Sequence, residues 1–147
     1  MRPIPLSLRK RIALDPFMLK CCHSQIWPNT ALCEGKVEWE HAMSYKRQIN
    51  EWWAIIPLCR YHHRGNGLDK RFNEWVALSR ANIEDLVKRM PRADWRQKLI
   101  YLSSHYGKLP GPLISLARGG EYIRQISRTR AVSPQRKKLF SRIRANG

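Results

Sequence analysis

Apolar and polar residues alternate along Val37-Glu38-Trp39-Glu40-His41, with Val37 and Trp39 on one side and Glu38 and Glu40 on the other. A period of two predicts a strand with His41 at its end. A second apolar run begins at the β-branched pair Ile55-Ile56, is stopped by Pro57, and leads through Leu58 into Cys59-Arg60-Tyr61-His62-His63. Two strands, an intervening loop and a helix starting near His62 make a ββα unit. Beyond His63, Gly65-Asn66-Gly67 interrupts any regular helix, and the period then changes to that of an amphipathic helix. Phe72, Trp75 and Val76 fall at i, i+3 and i+4 after Asp69. Asn82 is a good N-cap for a stripe of Ile83, Leu86, Val87 and Met90 that stops at Pro91. Trp95, Leu99, Leu102 and Tyr106 make a third stripe, ending at Gly107 as a C′ residue. All three stripes read as core-packing faces.

The punctuation divides the chain into three parts: residues 1–20, a basic arm broken by Pro3, Pro5 and Pro16; residues 21–107, the central domain with its accessory helices; and residues 108–147, a basic extension opened by Leu109-Pro110-Gly111-Pro112. The arm is read either as a lead into the metal site or as a solvated terminus. The loop from Ala42 to Trp52 carries Tyr45, Lys46, Arg47 and Gln48, and is read evenly as a phosphate-contacting loop or a solvated connector. In the extension, Ser133-Pro134 is an N-cap followed by Pro at the first helical position, which predicts a short basic helix over 134–145. A helix that short is marginal alone and is expected to order on a polyanion. The expected class is α+β.

Charge adds a partner to this picture. Of 147 residues, 28 are Lys or Arg against 11 Asp or Glu, a formal net charge of +17. Such self-repulsion is relieved by a polyanion, so a nucleic acid is the expected partner. A membrane surface is the rival, but no lipidation signal or long apolar run supports it. No secretory leader is recognisable in Met1 to Lys20, and the four Cys are read as metal ligands before disulfides, as in a cytoplasmic protein. Cys59-x2-His62 lets two side chains reach one ion, and Cys22, Cys33, Cys59 and His62 make a set able to close a tetrahedral Zn²⁺ site. The spacing from Cys22 to Cys33 is wide, so Cys21 or His23 stands as an alternative to Cys22. No G-x-S-x-G, phosphate-loop lysine or dinucleotide fingerprint is present, which removes the common hydrolase and nucleotide classes and any small-molecule cofactor. A Cys59–His62 protease pair would leave the charge without a role.

Glu40-His41, the pattern Cys33-x-Gly35-x-Val37-x-Trp39-Glu40-His41, and the closing Trp53-Ala54-Ile55-Ile56-Pro57-Leu58-Cys59-x2-His62-His63 together resemble the HNH, or ββα-metal, endonucleases, in particular members from phages and prophages. The resemblance covers residues 20–80 and leaves the last third of the chain outside it. It implies a metal-dependent DNA endonuclease working in a bacterial host, with His41 as general base and Glu40 and His63 holding one Mg²⁺ or Mn²⁺ at the scissile phosphate. Asn66 is a further candidate ligand for that ion. Lys46, Arg47, Arg60 and Arg64 are the candidate DNA contacts of the domain, and Arg136, Lys137, Lys138, Arg142 and Arg144 those of the tail. The sequence departs from the family in two places. Glu40 stands where Asp is usual, and Ala54 stands where the middle Asn belongs, with Asn50 as the nearest replacement. The substrate is open between duplex, branched and single-stranded DNA, and a phage or host recombination protein is a candidate partner. A second reading keeps the zinc site but not cleavage: a nucleic-acid-binding protein of phage recombination or packaging.

Overall fold

A computed structural model describes residues 3–111 together with Leu113 and Ile114. In chain order these residues form α1 (Leu6–Ile12), a 3-10 turn (Pro16–Leu19), α2 (Cys22–Ile26), β1 (Val37–His41), β2 (Ser44–Tyr45), β3 (Arg47–Gln48), a second 3-10 turn (Trp52–Ala54), β4 (Ile55–Cys59), α3 (Arg60–Arg64), α4 (Lys70–Arg80), α5 (Ile83–Arg89) and α6 (Trp95–Tyr106). The chain is thus a small α+β protein. The tail helix expected over 134–145, with Arg136, Lys137, Lys138, Arg142 and Arg144, lies outside the described residues.

β1 and β4 pair antiparallel, with Val37 opposite Cys59, Trp39 opposite Pro57 and His41 opposite Ile55. Pro57 therefore continues the second strand instead of stopping it. A two-stranded ladder leaves one edge of each strand unpaired, and a residue without an N–H is tolerated there. The two strands are buried unequally. Every residue of β4 is buried, whereas those of β1 are half-buried. The continuous apolar character of 55–59 matches burial on both faces, and the alternation of 37–41 matches one covered and one open face. The loop between them is itself a small hairpin, which the sequence reading missed. Ile49 N–H donates to the Met43 carbonyl at 3.0 Å, and Ala42 N–H donates to the Ala54 carbonyl at 2.8 Å. Lys46 turns the tip at φ 63°.

α4 begins where the sequence placed it. Asp69 caps it by accepting from Phe72 N–H at 3.2 Å, and Phe72, Trp75 and Val76 are fully buried. Trp75 also donates its indole N–H to the Gly107 carbonyl at 3.0 Å, tying α4 to the end of α6. Truncation of a Trp packed this way typically costs about 3–5 kcal/mol. α6 starts after Asp94, which accepts from Gln97 N–H, and ends at Gly107 with φ 86°, a conformation that suits only Gly without strain. α5 departs from its expected face. Leu86 and Met90 are buried, but Ile83 and Val87 are exposed, and Asn82 sits at the cap position without a side-chain hydrogen bond. A seven-residue helix with only one buried row needs no wider apolar stripe. Asn73 is buried in α4 with its Oδ1 unpartnered.

The N-terminal stretch packs onto this core. Ile12, Phe17 and Met18 are buried in it, and Ile4 and Leu8 lie against it. Asp15 and the wholly buried Arg80 form an ion pair at 3.1 Å, with the Arg80 guanidinium 3.8 Å above the Phe17 ring. Burial lowers the Arg80 pKa to about 10, against the opposing pull of Asp15, so the side chain keeps its charge at neutral pH. No helix among the described residues is long and apolar enough to cross a membrane.

Candidate functional site

Four metal-ligating side chains converge where α2, β4 and α3 meet. Cys21 is the residue before α2, Cys33 lies in the loop leading to β1, Cys59 ends β4, and His62 lies one turn into α3. Gly35 makes the bend between Cys33 and β1. It holds φ 85°, and a Cβ there would lie 2.8 Å from the Arg60 Cβ, so a side chain is doubly disfavoured. The three Sγ atoms stand 3.5, 3.8 and 3.1 Å from His62 Nδ1, for Cys21, Cys33 and Cys59 in turn. All four donor atoms lie within 4.8 Å of one another. Bonds of about 2.3 Å from sulfur and 2.0–2.1 Å from nitrogen to one tetrahedral zinc place S and N about 3.6 Å apart, so the donor set fits such an ion.

The place assigned to Cys22 is taken by Cys21. Cys21 has the extended backbone of a cap residue, φ −51° and ψ 130°, and its side chain reaches the cluster. Cys22 opens the helix, is fully buried in the core, and has its thiol pushed well up by that burial. His23, the other alternative, stacks on His62 at 3.7 Å with the planes 5° apart, and on Phe72 at 3.8 Å. It supports the ligand ring and is not part of the donor set. Burial pushes the Cys21 thiol up to about 12, with Cys59 and Cys33 adding repulsion between would-be thiolates, and burial likewise raises Cys33. Burial also acts on Cys59, but the backbone at His62 and Glu34 and the thiols of Cys21 and Cys33 hydrogen-bond its anion and hold it below the usual range. A cation among the three sulfurs would turn that mutual repulsion into attraction.

One residue further on, His63 faces a different set. Its Nδ1 lies 3.2 Å from Glu38 Oε1, and its Nε2 contacts the Glu40 carboxylate. The strand alternation explains the arrangement, since Glu38 and Glu40 project from one face of β1 and α3 crosses that face. A carboxylate accepts, so a ring N–H of His63 can be donated to either glutamate. Glu38 also accepts from Arg64 at 2.8 Å. Desolvation opposes its ionisation, but the hydrogen bond from His63 and the charges of Arg64, His63 and Arg60 hold its carboxyl below the ordinary value. Sequence reasoning named Glu40 and His63 and missed Glu38, although the alternation that defined the strand already put it beside Glu40.

His41 does not join that cluster. As the last residue of β1 it pairs through Nε2 with Asn50 Oδ1 at 2.6 Å, and Asn50 Nδ2 donates to the Pro3 carbonyl at 3.3 Å. Asn50 reaches His41 because Met43 and Ile49 pair across the neck of the loop hairpin, which brings residue 50 back to the end of β1. Ala54, where the HNH pattern has Asn, is bonded through its backbone, its carbonyl accepting from Ala42 and its N–H donating to the Glu51 carbonyl. Asn66 is exposed and lines a cleft of about 540 Å³ with Glu34, Gly35, Arg60, Tyr61, Arg64 and Gly65. Lys46 and Arg47 are exposed on the hairpin, and Arg60 and Arg64 are exposed one turn apart on α3, with Arg64 engaged by Glu38.

Comparison with known proteins gives no match, whether to family models, curated proteins or solved structures.

Proposed function

We propose that this chain is a metal-dependent DNA endonuclease of the HNH type, in which zinc at Cys21, Cys33, Cys59 and His62 is structural and a second, harder cation serves cleavage. The observation that carries the reading is the pairing of two differently equipped neighbours on α3. His62 points into a closed thiol cluster, while His63 meets Glu40 on the half-open face of β1. A carboxylate oxygen and an imidazole nitrogen in contact are a fitting pair of protein ligands for Mg²⁺ or Mn²⁺, with water and phosphate completing the shell. When bound, that ion supplies charge stabilisation to the phosphate and the leaving 3′ oxygen. A metal at Nε2 would leave Nδ1 to Glu38, which is placed to hold the ring.

His41 directly follows Glu40 at the end of β1. That suits a general base and a metal ligand, which act on the attacking and leaving oxygens of one phosphate. His41 takes a proton from the attacking water, and Asn50 holds the ring in position. Arg60, Lys46 and Arg47 flank the two ends of this face and are suited to the adjoining phosphates. The excess of 17 positive charges supports a polyanionic substrate.

Incubation of supercoiled plasmid with purified protein tests the reading. Nicking with Mg²⁺ or Mn²⁺ that EDTA stops and His41→Ala abolishes is the expected result. Tight DNA binding with no cleavage under any divalent ion would instead favour the second reading, a zinc-stabilised nucleic-acid-binding protein. The engagement of both His63 nitrogens and the Ala54 substitution are the features that reading would use.

A further inference from the structure

Resting on the nuclease reading, we propose that the N-terminal segment is a positioning element of the active site: the Pro3 carbonyl fixes the Asn50 amide, and the amide fixes the proton of His41 on Nε2. The argument begins with donor and acceptor chemistry. A backbone carbonyl has no hydrogen to give, so it accepts from the NH₂ end of an Asn side chain. With Nδ2 turned to Pro3 at 3.3 Å, the amide presents Oδ1 to His41 at 2.6 Å. Oδ1 in turn accepts only, so His41 Nε2 must carry the hydrogen. The lone pair of the neutral ring is then left on Nδ1. A flipped amide would offer N–H to Nε2 and select the other tautomer, with Nδ1 protonated and no lone pair there. Nothing else among the contacts of Asn50 distinguishes the two orientations, so the choice falls to residue 3.

The segment is built to hold that carbonyl still. Pro3 and Pro5 have restricted φ, and Pro5 also confines Ile4 before it to extended backbone. Pro5 leads directly into α1, where its carbonyl accepts from Arg9 N–H at 2.9 Å. Ile4 and Leu8 anchor the strap on the core, and Arg11 lies over the Trp52 ring at 5.7 Å. Trp52 begins the 3-10 turn that follows Asn50 by two residues, so the strap and the Asn-bearing loop share one support. The hydrogen bond to Pro3 is exposed and long, and water competes for it. Its contribution is therefore orientation, not stability.

Two readouts separate this inference from the nuclease reading itself. Long-range proton–nitrogen NMR of the full, histidine-labelled chain, at a pH where His41 is neutral, reports its tautomer without any cleavage. The full chain is expected to show Nε2–H alone. Deleting residues 2–4 leaves Met before Pro5 and no carbonyl at position 3. That variant, like Asn50→Ala, is expected to show mixed tautomers at His41. Its kcat for plasmid nicking should fall ~10- to 10²-fold with KM little changed, the size of a misplaced catalytic group. Leu99→Ala keeps the strap and its carbonyl while losing packing on the same core, and should keep both tautomer and rate. Loss of rate in Leu99→Ala equal to that of the deletion would overturn the proposal, leaving a packing role. So would an unchanged tautomer and rate in the deletion, and the nuclease reading would survive both results. A folded full chain that cuts no DNA fails that reading, and the strap's catalytic role falls with it.

Discussion

His62 and His63 are neighbours in sequence, yet they sit in opposite kinds of surroundings. His62 is 6% exposed and sees three sulfurs and a stacked ring, whereas the His63 side chain is 19% exposed between two carboxylates. Consecutive residues on a helix project about 100° apart, so one turn of α3 is enough to face both the closed interior and the open surface of the sheet. The difference shows what each place is suited to. Four soft donors that together fill a tetrahedral shell make a site that can only hold an ion, even with Cys33 exposed, while hard donors at a half-open surface leave room for water and substrate.

The largest expected effect breaks the closed side. Structural zinc contributes about 10–16 kcal/mol of apparent binding energy in small domains, and here that binding would be folding energy. Removing the metal with a chelator, or Cys59→Ser, should unfold the α2–β4–α3 region, measured by circular dichroism and by zinc content. The same measurement sharpens the choice of cysteine. Cys21→Ser should lose the metal, whereas Cys22→Ala should keep one zinc per chain and lose only core packing, about 1–3 kcal/mol. Zinc lost from Cys22→Ala and retained by Cys21→Ser would reverse the assignment.

That choice also marks where the sequence stopped being informative. Cys59-x2-His62 is legible because a strand end followed by one helical turn has few geometries. The residues of β1, β4 and α4 are legible because burial on one or both faces writes itself into the period. Cys21 and Cys22 are adjacent and chemically identical, and only the exact start of α2 decides which one faces the ion. Asn50 belongs to the same class. Its contact with His41 depends on a hairpin inside a loop, closed by backbone bonds at Met43–Ile49 that leave no side-chain pattern. The exposed Ile83 and Val87 show the reverse error, an apolar stripe wider than the surface available to cover it.

The open side breaks differently. His41→Ala should lower the cleavage rate by about 10² to 10⁴, with melting temperature and DNA affinity nearly unchanged, because a half-exposed base contributes little to packing. Glu40→Ala and His63→Ala should raise the Mg²⁺ concentration needed for half-maximal nicking. Glu38→Gln should have a milder effect of the same kind, since it removes the negative charge beside His63 while leaving an oxygen that can accept from it. A titration of rate against Mg²⁺ for the three variants checks the order. Equal effects from all three would mean that Glu38 is itself a ligand.

The smallest effect lies at the boundary between the two regions, in the ring stacked behind His62. Burial, reinforced by the charge of His62 and opposed by Asp69, lowers the His23 pKa from 6.5 to about 4. The unfolded chain therefore binds more protons than the folded one between those values, and stability must fall as the pH falls. The contribution is complete above about 6.5 and lost progressively toward about 4. Acid would also release a metal held by the thiolates, so the His23 share is isolated by difference. His23→Phe keeps a ring between His62 and Phe72, removes the titration, and removes a buried Nε2 that has no hydrogen-bond partner. It should be neutral or more stable by about 1 kcal/mol at neutral pH, and its stability should decline less than the parent's on acidification. Denaturant melts of both proteins across that range measure the difference directly. Parallel declines would mean that acid acts through the thiolates alone, with no share from the titration of His23.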